Sequence, residues 1–138
     1  MLNTENNYLK YWRVVRFWVK AKHNLSTPEL EMLLFLYSEE YFNKTKFKEF
    51  EQLMSWDLSR FDNLLKEGWI IVWRKKSGKF ATLYELSYKG KRVVATIYKK
   101  LSGEEIAESP NVNPLFRKDA CYMDKIYRNS IKEMNKFI

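Results

Sequence analysis

Positive charge is concentrated around Gly78. Residues 68–92 contain seven basic residues and one acidic residue, Glu85. Four of the basic residues lie within one stretch of six positions: Arg74, Lys75, Lys76 and Lys79. Ammonium groups bind phosphates as point charges and need no orienting partner, so this cluster predicts a phosphate-contacting element. The alternative interpretation is a solvated turn.

The chain has few residues suited to catalysis. His23 is the one histidine and Cys121 the one cysteine, and no His, Cys or carboxylate group has the spacing of a metal site or of a nucleophile and its base. The adjacent acidic pairs at 39–40 and 104–105 point in different directions on a helix, which does not suit a shared acid–base site. We therefore expect no enzymatic activity, no metal and no cofactor.

Length and composition favour one compact domain. The chain has 138 residues, of which 46% are hydrophobic, and a formal net charge of +8. A chain of this length buries a core without disulfides, and a single cysteine favours a reducing compartment. No stretch has the apolar length of a membrane span, and residues 1–10 lack the apolar run of a signal peptide. We therefore expect a cytoplasmic protein with a polyanionic partner and no membrane association.

Apolar residues recur at helical spacing through most of the chain. The first such segment spans residues 8–22. Thr27 followed by Pro28 predicts the N-cap and the first position of a second helix, and Asn43 or Thr45 predicts the cap of a short third helix. The predicted order then continues with a helix over 56–67, a strand over 69–73, a return strand over 80–87, a helix over 90–101, a loop over 102–114 and a helix over 118–138. The predicted fold class is mainly α with a small β-hairpin (α+β).

Two local motifs and this element order resemble the MarR family of winged helix-turn-helix transcription regulators. Residues 64–70, with the sequence LLKEGWI, resemble the family's leucine, charged pair, glycine and apolar pair at the end of the recognition helix. Residues 86–90, LSYKG, resemble the motif at which the return strand of the wing enters the next helix. The resemblance covers nearly the full length and is most specific over residues 47–101.

The resemblance implies one winged-helix domain over residues 1–138, with a core of about 27–101. It also implies a homodimer formed by the first and last helices, over 8–23 and 118–138. Apolar and aromatic residues on these two helices form the predicted dimer interface: Tyr11, Trp12, Val15, Trp18, Ile126, Ile131, Met134 and Phe137.

The family's function implies binding of double-stranded DNA. The helix over 56–67 would enter the major groove, and the basic wing would contact phosphates or the minor groove. The outward residues nearest the start of that helix are Ser59, Arg60 and Asn63. Arg forms two hydrogen bonds with guanine and Asn two with adenine, so these are the predicted base-contacting residues. Their alternative interpretation is as ordinary solvated helix residues.

Two departures from the family's pattern keep a second function open. The wing lacks the family's Asp, which orients an Arg towards the minor groove. Three acidic residues, Asp57, Asp62 and Glu67, oppose Arg60 and Lys66 on the predicted recognition helix. The alternative is a non-enzymatic structural or protein-interaction protein, including one of phage origin, that reuses the winged-helix fold.

Two further predictions concern the terminal helices. The Trp and Tyr residues of the first helix could line a pocket for a small aromatic effector, although aromatic residues at helical spacing are more typical of a core or a dimer interface. Cys121 is interpreted as a packing residue of the last helix, with redox sensing as the alternative.

Overall fold

The computed structural model describes residues 8–52 and 57–136, with the backbone alone for residues 8–10. The chain divides into two compact units. One comprises Ser26–Val94, and the other comprises Met1–Leu25 together with Ala95–Ile138.

The described residues form six α-helices and one β-hairpin, so the prediction of a mainly helical α+β chain is confirmed. The elements are α1 (Tyr8–His23), α2 (Thr27–Glu39), α3 (Lys44–Glu51), α4 (Leu58–Lys66), β1 (Ile70–Arg74), β2 (Leu83–Leu86), α5 (Tyr88–Leu101) and α6 (Tyr122–Asn135), with a 3-10 turn at Pro114–Phe116 before α6. These helices are too short or too polar to cross a lipid bilayer.

The N-cap of α2 is Ser26, so the predicted cap at Thr27 is wrong by one residue. Ser26 Oγ accepts a hydrogen bond from the Glu29 backbone N–H (3.3 Å), and Glu29 Oε1 accepts one from the Ser26 backbone N–H (3.0 Å). This reciprocal capping box requires an acidic or amide residue three positions after the cap. A cap at Thr27 would place Leu30 there, which cannot return the hydrogen bond.

The caps of the next two helices are short polar side chains. Asn43 Oδ1 accepts a hydrogen bond from the Lys46 backbone N–H (2.7 Å), so Asn43 rather than Thr45 caps α3. Asp57 caps α4, which begins at Leu58. The predicted start of that helix at residue 56 lies outside the described residues. Gly68 follows α4 with a φ of +81°, a left-handed conformation that ends the helix.

The predicted hairpin is confirmed; β1 has the predicted length but begins one residue later, and β2 is shorter than the predicted return strand. Ile70 pairs with Leu86 and Val72 with Tyr84, and the register shifts between Val72 and Arg74, so that Trp73 forms a bulge. Tyr84 also exchanges both backbone hydrogen bonds with Phe42, at 3.0 and 2.7 Å. This single-residue bridge, which periodicity did not predict, ties the segment before α3 to β2.

Phe61 lies at the centre of an aromatic cluster in the Ser26–Val94 unit. Its fully buried ring packs edge-on against Phe47, Tyr84 and Phe42, with centroid separations of 4.9, 5.2 and 6.1 Å. Around this cluster, α2 packs against α4 and β2, and α4 packs against β1. The cluster therefore fixes α4 relative to the hairpin.

The start of α5 is fixed to the start of the hairpin by Ser87. Its Oγ donates to the Trp69 carbonyl oxygen (3.2 Å) and accepts from the Gly90 backbone N–H (3.1 Å). This cap starts α5 at Tyr88, two residues before the predicted start. It also brings Gly90 against Trp69, where an added Cβ would lie 2.8 Å from the Trp69 carbonyl oxygen.

Replacing Gly90 by Ala is therefore expected to lower the free energy of unfolding by about 1–3 kcal/mol, because backbone must move to accommodate one methyl group. Chemical denaturation in urea measures this loss. Lys99→Ala, at an exposed position of the same helix, is the control and should change stability by less than about 0.5 kcal/mol. A change equally small for Gly90→Ala would show that α5 is free to shift away from Trp69.

In the second unit, α1 and α6 pack against each other and against the 3-10 turn. Phe17 stacks on Tyr127 with a centroid separation of 4.0 Å. The predicted loop before α6 is held by side chains: Asn135 donates to the Ile106 carbonyl oxygen and accepts from its N–H. The α6 helix begins at Tyr122, later than the predicted residue 118, because residues 117–120 form a turn.

The structure corrects part of the predicted dimer interface. Val15, Trp18 and Ile131 are buried in the single chain, with exposed fractions of 0, 3 and 0%, so they cannot contact a second copy. Their apolar periodicity reflects the core of the chain itself. Of the other predicted positions, Ile126 is 40% exposed, Tyr11, Trp12 and Met134 are half-buried, and Phe137 lies outside the described residues.

Candidate nucleic-acid interface

The end of the hairpin carries the predicted basic cluster, which we call the basic tip: Arg74, Lys75, Lys76 and Lys79. All four side chains are exposed, and no ion pair between described residues includes any of them. Ser77 and Phe80 exchange backbone hydrogen bonds of 3.0 and 2.9 Å around a two-residue turn. Gly78 has a φ of +55° at the first position of this turn, as primed hairpin turns require. The backbone of the tip is thus ordered, and its charges face solvent.

Aromatic rings flank the basic tip. The Arg74 guanidinium lies 5.4 Å from the Phe80 ring centroid and 6.0 Å from that of Trp73. Phe80 is 65% exposed, and Trp73 packs against Tyr41 with a centroid separation of 4.2 Å. Arg74 is therefore held by cation–π contacts at the base of the tip, while the three lysines extend beyond it.

Two of the three remaining basic residues of the 68–92 block, Lys89 and Lys91, are held by contacts with their own chain. Lys89 Nζ donates to the Glu67 carbonyl oxygen (3.1 Å) and lies 3.9 Å from the Trp69 ring centroid. Lys91 pairs with Glu85 at 3.5 Å. The block of charge seen in the sequence therefore separates into an exposed tip and a group of residues that pack around the start of α5.

The predicted base-contacting residues lie on the first two turns of α4, where two of them bind carboxylates. Asp57 Oδ2 accepts a hydrogen bond from Arg60 Nη1 (2.6 Å), in addition to the cap that Asp57 Oδ1 makes with the Arg60 backbone N–H (2.8 Å). Asn63 Nδ2 donates to Glu29 Oε2 (2.8 Å). Ser59 is exposed beside them. Glu29 is not among the predicted base-contacting residues, although the spacing of Ser26 and Glu29 is the signal of a capping box.

These side chains surround an open cleft of about 600 Å³ that runs along α4. Eight residues line the cleft: Ser26, Glu29, Asp57, Ser59, Arg60, Asp62, Asn63 and Lys66. Three are carboxylates and two are cations, so this surface lacks the positive charge of the basic tip. It instead offers fixed hydrogen-bonding groups of both kinds, as base recognition requires.

The Glu29 carboxylate is held in its ionised form. Burial alone would raise its pKa, but hydrogen bonds from the Ser26 backbone, the Asn63 side chain and the Ser26 hydroxyl, together with the charge of Arg60, lower the pKa below its usual value. At neutral pH the group is therefore a charged acceptor with two occupied oxygens.

The other predicted features have mixed outcomes. Cys121 is exposed at the N-cap of α6, so its interpretation as a packing residue is wrong, and redox sensing stays a prediction. A cavity of about 530 Å³ in the Ser26–Val94 unit is lined by residues of α2, β2 and α5, such as Tyr37, Glu85 and Lys91, and by none of the described aromatic side chains of α1. The aromatic effector also stays a prediction.

Among the described residues, no three His, Cys, Asp or Glu side chains cluster closely enough to hold a metal ion.

Comparison with protein-family models, with curated proteins and with solved structures finds no match to this chain.

Proposed function

We propose that this chain is a winged-helix protein that binds double-stranded DNA as a dimer and regulates transcription in the manner of the MarR family. The observation that carries the proposal is the basic tip: four exposed cations on an ordered hairpin turn, with no acidic partner among the described residues. An unpaired cluster of this kind binds phosphates and releases their counterions.

The position of α4 supports the same function. It lies in the same compact unit as the hairpin, packs against β1, and exposes polar side chains near its N-terminus. In a winged helix this element would enter the major groove while the wing contacts the backbone. Arg60 and Asn63 would then contact bases, and the basic tip would contact phosphates.

Dimerisation is proposed through the terminal helices, using the surface that remains exposed. Tyr122, Met123 and Ile126 lie three and four positions apart on α6, and their exposed fractions are 77, 48 and 40%. An apolar face of this kind favours association with a second copy. Two tips in one dimer would contact two sets of phosphates.

A second candidate function is a structural or interaction protein that binds another protein. It is favoured by exposed apolar side chains on β1, where Ile71, Val72 and Trp73 are 40, 41 and 48% exposed. Exposed apolar residues on a strand are common at protein interfaces. The acidic side of the cleft agrees with this function as well.

A titration distinguishes the two functions. Fluorescence anisotropy of random and AT-rich duplexes is measured against the purified protein at several salt concentrations, with molar mass from light scattering. We expect a dimer whose log affinity falls linearly with log salt, with a slope that corresponds to about six or more phosphate contacts. Absence of binding even at low salt would contradict the proposal and favour the protein-binding function.

A further inference from the structure

We infer that Glu29 is a positioning residue that sets the base preference of Asn63, so that this chain selects adenine at one position of its DNA site. This inference rests on the proposed DNA-binding function and adds to it the residue that orients a base contact.

Glu29 is itself fixed at both oxygens. Its Oε1 accepts from the Ser26 backbone N–H at 3.0 Å, and its Oε2 accepts from Asn63 Nδ2 at 2.8 Å. The Glu29 backbone N–H is bound to Ser26 Oγ at 3.3 Å. The carboxylate therefore cannot follow a movement of Asn63 without breaking the cap of α2.

The chemistry of this contact determines how the Asn63 amide is oriented. An ionised carboxylate only accepts hydrogen bonds, so the amide must present its NH₂ group to Glu29 and turn its Oδ1 away. One N–H is used by Glu29, which leaves Oδ1 as an acceptor and a second N–H as a donor. An adjacent acceptor and donor are the pair with which an Asn side chain binds the N6 and N7 atoms of adenine.

The neighbouring Arg60 is held in the same way but by a different residue. Asp57 Oδ2 binds Arg60 Nη1 at 2.6 Å, and Asp57 also caps α4. Since Arg60 and Asn63 are three positions apart, they lie on one face of the helix. A change at Glu29 leaves the Asp57–Arg60 pair intact, so Arg60 provides an internal reference for base preference.

Glu29→Gln isolates the orienting contact. Gln also completes a capping box, so its Oε1 can keep the bond to the Ser26 backbone. The Nε2 amide of Gln then faces Asn63 and donates a hydrogen bond. The Asn63 side chain must therefore turn its Oδ1 towards residue 29, and only its N–H groups remain for the cleft. The acceptor for the adenine N6 amino group is lost, while the exposed charges of the basic tip are unchanged.

The experiment selects preferred sites from a random duplex pool with the wild type, Glu29→Gln and Glu31→Gln. Glu31 is a half-buried residue of the same helix, so its variant removes the same charge without the Asn63 contact. We expect Glu29→Gln to lose about 10- to 100-fold of the adenine preference at one position. Its salt slope and its affinity for random DNA should match those of Glu31→Gln, which loses the same charge, and Glu31→Gln should keep the preference.

Asn63→Ala should lose the same preference, and the double variant should lose no more than either single variant. The side-chain amide resonances of Asn63 in the free protein give a second measurement that needs no DNA, and they should shift in Glu29→Gln but not in Glu31→Gln.

Three outcomes would overturn the inference. Retention of the same adenine by Glu29→Gln, or unshifted Asn63 amide resonances, would overturn it while leaving the proposed function in place. If the wild type binds no duplex, the proposed function and this inference fail together.

Discussion

Reversing the charge of Lys75, Lys76 and Lys79 to Glu is expected to weaken DNA binding about 100-fold or more in about 100 mM salt. These side chains are exposed, and no ion pair between described residues includes them, so each is available for a phosphate. Each lost phosphate contact lowers the steepness of the plot of log affinity against log salt by about 0.9. Loss of the three lysines should therefore lower this slope by about three for each copy of the tip. Anisotropy titrations at several salt concentrations measure both quantities.

The matched control reverses three lysines of the other unit, Lys99, Lys118 and Lys125, which are also exposed. Both triple variants carry the same net charge, so a general attraction of a basic protein to DNA would weaken equally in the two. A control variant that loses as much affinity as the tip variant would assign binding to net charge rather than to the tip. Thermal unfolding should be nearly unchanged in both, because exposed substitutions have small effects.

Truncating Phe61 to Ala is expected to lower the free energy of unfolding by about 3–5 kcal/mol. The ring is fully buried, and it packs edge-on against Phe47 and Tyr84 at 4.9 and 5.2 Å. Its removal would leave a cavity between α4, the start of α3 and β2. Urea denaturation followed by circular dichroism measures the loss.

Phe80→Ala is the control for this prediction, because it removes the same ring from a position that is 65% exposed. We expect it to lower stability by less than about 1 kcal/mol. If Phe61→Ala also lowers stability by less than about 1 kcal/mol, the aromatic cluster contributes little to the stability of the Ser26–Val94 unit. That result would contradict the role that its buried packing indicates.

Much of the fold could be predicted from the sequence because its determinants are local. Helical spacing of apolar residues predicted the α-helices, and a β-branched run after Gly68 predicted the hairpin. The basic tip could be predicted because its four cations lie within six positions of the chain. Charge and turn chemistry over six residues are sufficient to place it on the surface.

The rest depends on residues that are distant in sequence. Glu29 and Asn63 are 34 positions apart, so periodicity carried no signal that the two would meet. Phe42 and Tyr84, which form the single-residue bridge, are also far apart in the sequence, so no local pattern predicts their contact.

The terminal helices show a different limit. An apolar stripe indicates that a helix face is covered, but it does not indicate by what. Trp18 and Ile131 are covered within the single chain, whereas Ile126 on the same predicted face is 40% exposed. The predicted dimer interface therefore mixed core residues with surface residues.

The contacts that Asp57 and Glu29 make with side chains of α4 would also reduce the entropy lost when a ligand binds in the cleft. Arg60 and Asn63 are held by Asp57 and Glu29 before any ligand arrives, so their rotamer freedom is already reduced in the free protein. Ordering a flexible side chain at an interface costs about 0.5–1.5 kcal/mol. The lysines of the tip would lose this freedom only when they bind a ligand. The cleft and the tip would thus differ in thermodynamic character, with the cleft preorganised for a defined partner and the tip adaptable to many.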